Sequence, residues 1–171
     1  MTSGQHRVLY LVVCAAPPAS EVGELVDLLH DAGWAVCVVP TPAAGDWVDG
    51  RSLADRTGYQ VRSAAGRPAD TGSLPRADAV LVAPATFNTI NKWVAGIADT
   101  FALGLLCEAL GLDLPVYVVP HVKPTLAAHP AFGRSLRALD DWGVTVLPNE
   151  TLKPPHGGQP FRWRTVVDAL R

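Results

Sequence analysis

Four apolar runs of strand length constrain this chain more than any other feature: RVLYLVVCA at 7–15, WAVCVVP at 34–40, ADAVLVAP at 77–84 and LPVYVVP at 114–120. None alternates apolar with polar residues. Each therefore suits a strand covered on both faces, not one half-open to water. Between the first two lies SEVGELVDLLHDAG, where Val22, Leu25, Val26, Leu28 and Leu29 form a stripe of helical period. Ser20 stands at the expected N-cap, Glu21 and Glu24 favour the first turn, and Gly33 ends the helix. Strand, helix and strand at this spacing make a parallel crossover unit. The rest of the chain predicts a short helix between 47 and 53, a loop over 62–76 and one long apolar helix over about 88–110. A helix over 129–143, a fifth strand at 144–148 and a last short helix at 164–170 follow. The expected fold class is α/β, a single-domain, Rossmann-like doubly wound parallel sheet. One domain spans 1–171, with a loose stretch at 1–6 and a clamp-like loop and C-terminal helix over 149–171.

Hydrophobic residues make up 49% of the chain and charged ones only 18%, a balance that fits burial of much surface against further copies and equally a Pro- and Ala-rich chain from a high-GC genome. The net charge of −2, without a basic run, argues against nucleic acid as a partner. No apolar stretch is long enough to span a membrane, and VLYLVVCAA lacks a secretory cleavage pattern, so a cytoplasmic protein is expected. Cys14, Cys37 and Cys107 sit in apolar stretches at irregular spacing, which predicts buried free thiols and neither a metal site nor a disulfide framework.

In a doubly wound sheet, ligands gather outside the carboxyl ends of the strands. Those ends are CAAPPAS, PTPAAGDW, APATFNT and PHVKPT. No glycine-rich dinucleotide fingerprint or P-loop occurs, which disfavours NAD and ATP. Three of the four place Ser or Thr just before a helix, where hydroxyls and free backbone N–H groups can hold one phosphate or simply cap the helix. A mononucleotide such as FMN suits that pattern better than a dinucleotide.

The stretch PATFNTINKWVAGIADT resembles the P-A-S-A-N-T-x-N-K-x-A-x-G-I-x-D signature of the homo-oligomeric flavin-containing cysteine decarboxylases. These include the phosphopantothenoylcysteine decarboxylases and the epidermin-type peptidyl-cysteine decarboxylases. Pro84, Ala85, Asn88, Thr89, Asn91, Lys92, Gly96, Ile97 and Asp99 all match, and the likeness runs from the first strand to GVTVLP. The resemblance implies bound FMN and assembly as a trimer or a dodecamer of trimers. It implies cofactor contacts from Thr86, Phe87, Asn88 and Thr89, from Thr41, Ala43 and Trp47 after the second strand, and from Ala16, Pro18 and Ser20 in the first loop. Pro17 and Pro18 stand where the family has small residues and remove backbone donors.

The family's chemical residues are changed. Asp70 occupies the position of the family histidine, and VPHVKPT replaces the family's P-x-M-N-x-x-M-W motif, with Lys123 in place of the Asn that binds the substrate carboxylate. The resemblance therefore points to Asp70 or His121 as the proton-handling group, and to Lys123 and Asn88 as substrate-binding residues. No cysteine follows Cys107, so the reducing clamp cysteine of the phosphopantothenoylcysteine enzymes is absent. An oxidative decarboxylation of a peptidyl C-terminal cysteine, with a precursor peptide as partner, is the implied activity. In that chemistry the flavin oxidises the cysteine carbon–sulfur unit to a thioaldehyde, which serves as the electron sink for loss of CO2. An FMN-binding protein without decarboxylase activity, acting as carrier or regulatory subunit, and a related flavoprotein that transfers prenyl groups remain open.

Overall fold

The computed structural model describes residues 7–64 and 74–170. Five strands form one parallel sheet in the order β2-β1-β3-β4-β5: β1 (Arg7–Val13), β2 (Trp34–Pro40), β3 (Ala79–Ala85), β4 (Val116–Pro120) and β5 (Thr145–Val146). The four strong runs are all strands. The fifth is shorter than 144–148, because only Thr145 and Val146 pair with β4.

Among the described residues, seven α-helices surround the sheet: α1 (Val22–Asp31), α2 (Gly50–Thr57), α3 (Phe87–Val94), α4 (Phe101–Gly111), α5 (Pro124–Ala127), α6 (Pro130–Asp141) and α7 (Trp163–Asp168). Side chains alternate across a strand, so each strand feeds two cores. Leu9, Leu11, Leu81 and Val38 pack with α1 and with Trp163 of α7. Val12, Val80, Val82 and Val118 pack with Trp93 of α3, Leu106 of α4 and Leu139 of α6. This double covering is why the strands are apolar throughout.

Four local expectations are corrected. Ser20 does not cap α1. Pro17 and Pro18 fix φ and open a 3-10 turn over Pro17–Glu21, closed by Ala19 N donating to Ala16 O at 2.8 Å. The Ser20 hydroxyl donates inside that turn, to Pro17 O at 2.9 Å, and α1 starts without a side-chain cap. The long helix over 88–110 is two helices. Gly96 takes φ of 72°, its N–H donates to Trp93 O at 3.0 Å, and Ile97 N donates to Lys92 O at 2.9 Å. That is a Schellman stop at the end of α3. Thr100 then caps α4, its hydroxyl accepting from Leu103 N at 3.1 Å. The short helix expected at 47–53 sits slightly later, as α2, because Asp49 accepts from Ser52 N and sets its start. Cys14 and Cys37 are buried, but Cys107 is only half-buried on α4.

Candidate functional site

The strand order places a switch point between β1 and β3: the chain leaves β1 towards one face of the sheet and β3 towards the other, opening a crevice at their carboxyl ends. Backbone bonds knit those ends into a floor. Cys14 N donates to Pro84 O at 3.1 Å, Thr41 N to Val13 O at 2.8 Å and His121 N to Ala85 O at 2.9 Å. Above this floor lies a cleft of about 790 Å³.

The cleft brings together most of the residues expected from the sequence. Ala16, Thr41, Ala43, Thr86, Phe87, Asn88, Thr89, His121 and Lys123 all line it. Three cofactor expectations fall elsewhere. Pro18 is buried in the turn before α1. Ser20 lines a separate hollow of about 530 Å³ with Glu21, Asp49 and Arg56. Trp47 is 42% exposed in the turn before α2, outside the lining of the cleft. Asp70 lies outside the described residues.

Thr86 is the N-cap of α3, a long one: its hydroxyl accepts from Thr89 N at 3.5 Å and meets the Thr89 hydroxyl at 3.3 Å. The first-turn N–H groups of Phe87 and Asn88 have no intrahelical acceptor and stand at the cleft. Beneath them Cys14 is fully buried. Burial pushes its thiol pKa up, and hydrogen bonds with Thr89 and Thr86 pull partly back. The thiol is thus held in its neutral form. Burial likewise pushes Cys37 up to about 12.

The rim is cationic. The whole chain contains three lysines, Lys92, Lys123 and Lys153, and all three line this one cleft. No carboxylate and no arginine lines it among the described residues. Lys92 pairs with Asp99 at 2.6 Å, brought back by the Gly96 turn, and Lys153 pairs with Glu150 at 2.7 Å. Lys123 makes no ion pair among the described residues. Periodicity gave no warning of Lys153, which sits in the irregular tail.

His121 is the imidazole of the rim. It is half-buried, its ring meets Phe161 edge-on at 5.9 Å, and its Nδ1 is buried with no hydrogen-bond partner among the described residues. Burial lowers its pKa, nearby Lys153 lowers it further, and Glu150 offsets part of this. The imidazole is therefore neutral at pH 7 and able to take a proton. His129, by contrast, is spent on structure: its Nδ1 accepts from Ala131 N at 3.1 Å and caps α6, with its ring edge-on to Phe87.

The model of the family described as Flavoprotein matches residues 2–171. This chain belongs to the Flavoprotein family. Among solved structures it is similar to the FMN-dependent cysteine decarboxylase TvaF from thioviridamide biosynthesis, 28% identical over 84% of this chain and 90% of that one, with a TM-score of 0.74. A cysteine/cysteine sulfinic acid decarboxylase from an unknown prokaryotic organism is 40% identical over 70 residues, 41% of this chain. The coenzyme A biosynthesis bifunctional protein CoaBC of Escherichia coli is 29% identical over 146 residues, 82% of this chain. The matched stretches span 19% and 35% of those two curated relatives, so this flavoprotein corresponds to only part of each.

Proposed function

We propose that this flavoprotein binds FMN in the switch-point cleft and oxidatively decarboxylates a peptidyl C-terminal cysteine or a related thiol acid. One observation carries the reading: a neutral imidazole, His121, whose buried nitrogen has no partner among the described residues, shares a single cleft with every lysine of the chain. That combination suits a substrate that brings a thiol proton to give up and a carboxylate to anchor.

The residues present fit FMN. The cleft's size lies in the range of small-molecule sites. Phe87, Leu103, Val122 and Leu126 supply an apolar wall for a flat ring, while Thr41, Thr86 and Asn88 supply polar contacts. The free N–H groups at the start of α3 and the ammonium of Lys92 suit a phosphate. Pro17 lines the cleft and has no N–H to give, so the first loop contributes fewer donors than α3 does. When bound, FMN supplies a two-electron oxidation of the cysteine carbon–sulfur unit. His121 takes the thiol proton, Lys123 holds the carboxylate until it leaves as CO2, and the apolar wall keeps water from the reacting carbon.

Self-association fits the same reading. Glu108 is the only charged residue of α4, and Phe101, Leu105 and Leu110 stay partly exposed on it. The adjoining Ile97 and Leu112 are 42% and 64% exposed. A trimer, or a dodecamer of trimers, would cover this surface, and a precursor peptide is the expected substrate partner. A cytoplasmic location suits three free thiols; no helix among the described residues is long and apolar enough to cross a membrane.

The test is direct. The purified protein should be yellow or take up added FMN, and should convert a cysteine-ended peptide to a product lighter by CO2 and two hydrogens, seen by mass spectrometry. A protein that never takes up FMN refutes the cofactor. FMN uptake without mass loss from any cysteine-ended substrate leaves a flavin binder with another task.

A further inference from the structure

Val122 lies between the two groups that give the rim its chemistry, and its peptide is gripped from outside the strand. Val122 N donates to Asn149 Oδ1 at 2.8 Å, and Asn149 Nδ2 donates to Val122 O at 2.8 Å. A neighbouring β-strand would normally satisfy two such backbone groups. Here β5 ends at Val146, with Leu147 N donating to Val118 O at 2.9 Å, and a single side-chain amide does the work of the missing strand. On the opposite edge His121 N donates to Ala85 O at 2.9 Å. The segment from His121 to Lys123 is thus fixed on both edges, one step beyond the end of β4.

The same turn carries the third rim cation. Thr151 N donates to Pro148 O at 3.0 Å and Lys153 N to Glu150 O at 3.0 Å, so the backbone from Pro148 to Lys153 is closed on itself. Asn149 is the side chain that fastens this turn to the His121–Lys123 segment. The chemistry requires an amide. A carboxylate accepts from Val122 N but repels Val122 O, a hydroxyl is too short to reach both, and an apolar residue leaves both backbone groups without a partner.

We propose that Asn149 is the positioning residue of the cleft, holding His121 and Lys123 as one rigid unit and docking Lys153 beside them. This rests on the decarboxylase reading only for its kinetic consequence. Misplacing reacting groups by a fraction of their contact distance is enough to slow a reaction by up to about 100-fold, so Asn149→Ala should lose about that much in kcat/KM towards a cysteine-ended peptide. Both kcat and KM should change, because the base and the carboxylate anchor move together, while flavin absorbance is retained. Asn149→Gln, which keeps the amide, should recover part of the loss.

A second readout needs no substrate. The imidazole of His121 is followed by NMR against pH in the full chain, its signal assigned by its absence in His121→Asn. In wild type it should titrate below the ordinary histidine value of about 6.5. In Asn149→Ala the midpoint should rise towards that value as the ring gains water and the Lys153 turn drifts from it. The groups that face this ring are Lys153 and Glu150 from the turn and Phe161 from the tail, and none of them is altered in the variant. A third measurement uses wild type alone: the Val122 amide should exchange slowly with solvent although it lies past the end of a strand.

Asn149→Ala with unchanged kcat/KM and an unchanged His121 midpoint, whatever its melting temperature, would overturn the proposal, as would a Val122 amide that exchanges like an open loop. A wild type that shows no decarboxylation, with a His121 midpoint that still moves in Asn149→Ala, would sink the proposed activity and leave the positioning role standing.

Discussion

The link between α3 and α6 offers a sharp test of how the cleft is held in place. Asn91 Nδ2 donates to Phe87 O at 2.9 Å, one turn back on α3, and Asn91 Oδ1 accepts from the Ser135 hydroxyl of α6 at 2.7 Å. Ser135 is 6% exposed. A buried neutral hydrogen bond contributes about 1 kcal/mol net, and an orphaned buried partner costs a further 1–3. Asn91→Ala removes two bonds and strands the Ser135 hydroxyl, but that hydroxyl can turn back onto its own helix carbonyls, which keeps the added cost at the low end. The expected loss is about 2–3 kcal/mol. Ser135→Ala removes one bond and leaves Asn91 anchored to Phe87 O, for about 1 kcal/mol. The double variant should cost little more than Asn91→Ala alone, giving a coupling of about 1 kcal/mol, well above the few tenths typical of independent sites. Urea unfolding of the apo chain measures all four states, and for a domain of this size the Asn91→Ala loss corresponds to roughly 4–12 °C in Tm. Because Thr86 to Thr89 ride on the same helix, FMN affinity should fall in step with the α3–α6 coupling. Additive single losses, or an Asn91→Ala chain as stable as wild type, would refute the claim that this bond carries the α3–α6 contact.

Three further outcomes are expected. Gly96→Ala meets no atom within 4 Å, so its cost is purely the left-handed backbone at φ of 72°, about 1 kcal/mol in urea unfolding; a neutral result would remove the Schellman stop from the argument. Lys123→Ala should raise KM for a cysteine-ended peptide by roughly 10- to 100-fold, as befits one charged hydrogen bond, without lowering FMN uptake; a peptide ending in a C-terminal amide should be insensitive to the same change. His121 has its folded pKa below its unfolded value, so between the two the unfolded chain binds more protons: its contribution to stability is present above about pH 6.5 and is lost as pH falls towards the folded pKa, and His121→Asn should flatten that part of a stability–pH profile.

How much of this was legible in the sequence depended on whether a local signal and the tertiary environment agreed. The strands were plain because a run such as VLVAPA, buried in full, has no competing use. The break between α3 and α4 was written in Gly96 and Thr100, yet α4 is apolar on nearly every side, and an uninterrupted hydrophobic stretch hides a turn of polar caps. At PPASE the hydroxyl and glutamate looked like the start of a helix, and the two prolines instead committed the chain to a 3-10 turn before it. The polar loop after β3 could be placed because strand ends in such a sheet converge. Lys153 and Asn149 could not, since no periodicity fixes the tail and only the finished fold carries it to His121. Pro18 and Trp47 were placed by family likeness, Ser20 by that and by its hydroxyl before a helix, and this chain's own first loop and second turn set all three apart from the cleft.

The cleft divides into a floor and a rim that obey different rules. The floor is made by backbone groups at the ends of β1, β2, β3 and β4, bonded N–H to carbonyl across neighbouring strands. Such bonds do not depend on which side chains the floor residues carry. The rim is made of side chains on loops, and there a single exchange alters the chemistry. This chain carries Asp70 where the resemblance called for an imidazole, and Lys123 where it called for an amide. An imidazole does stand at another position of the rim, where His121 sits next to the end of β4 with a buried nitrogen that has no partner among the described residues. The rim also supplies a point charge for a carboxylate, which asks less of geometry than a bidentate amide does. If the proposed decarboxylation holds, a rim of this kind meets its two demands, a neutral base and an anion anchor, from one short segment. Under the proposed activity, changes at His121 or Lys123 should therefore alter turnover and leave the flavin bound, whereas a change at Lys92 or at the start of α3 should weaken flavin uptake and turnover together.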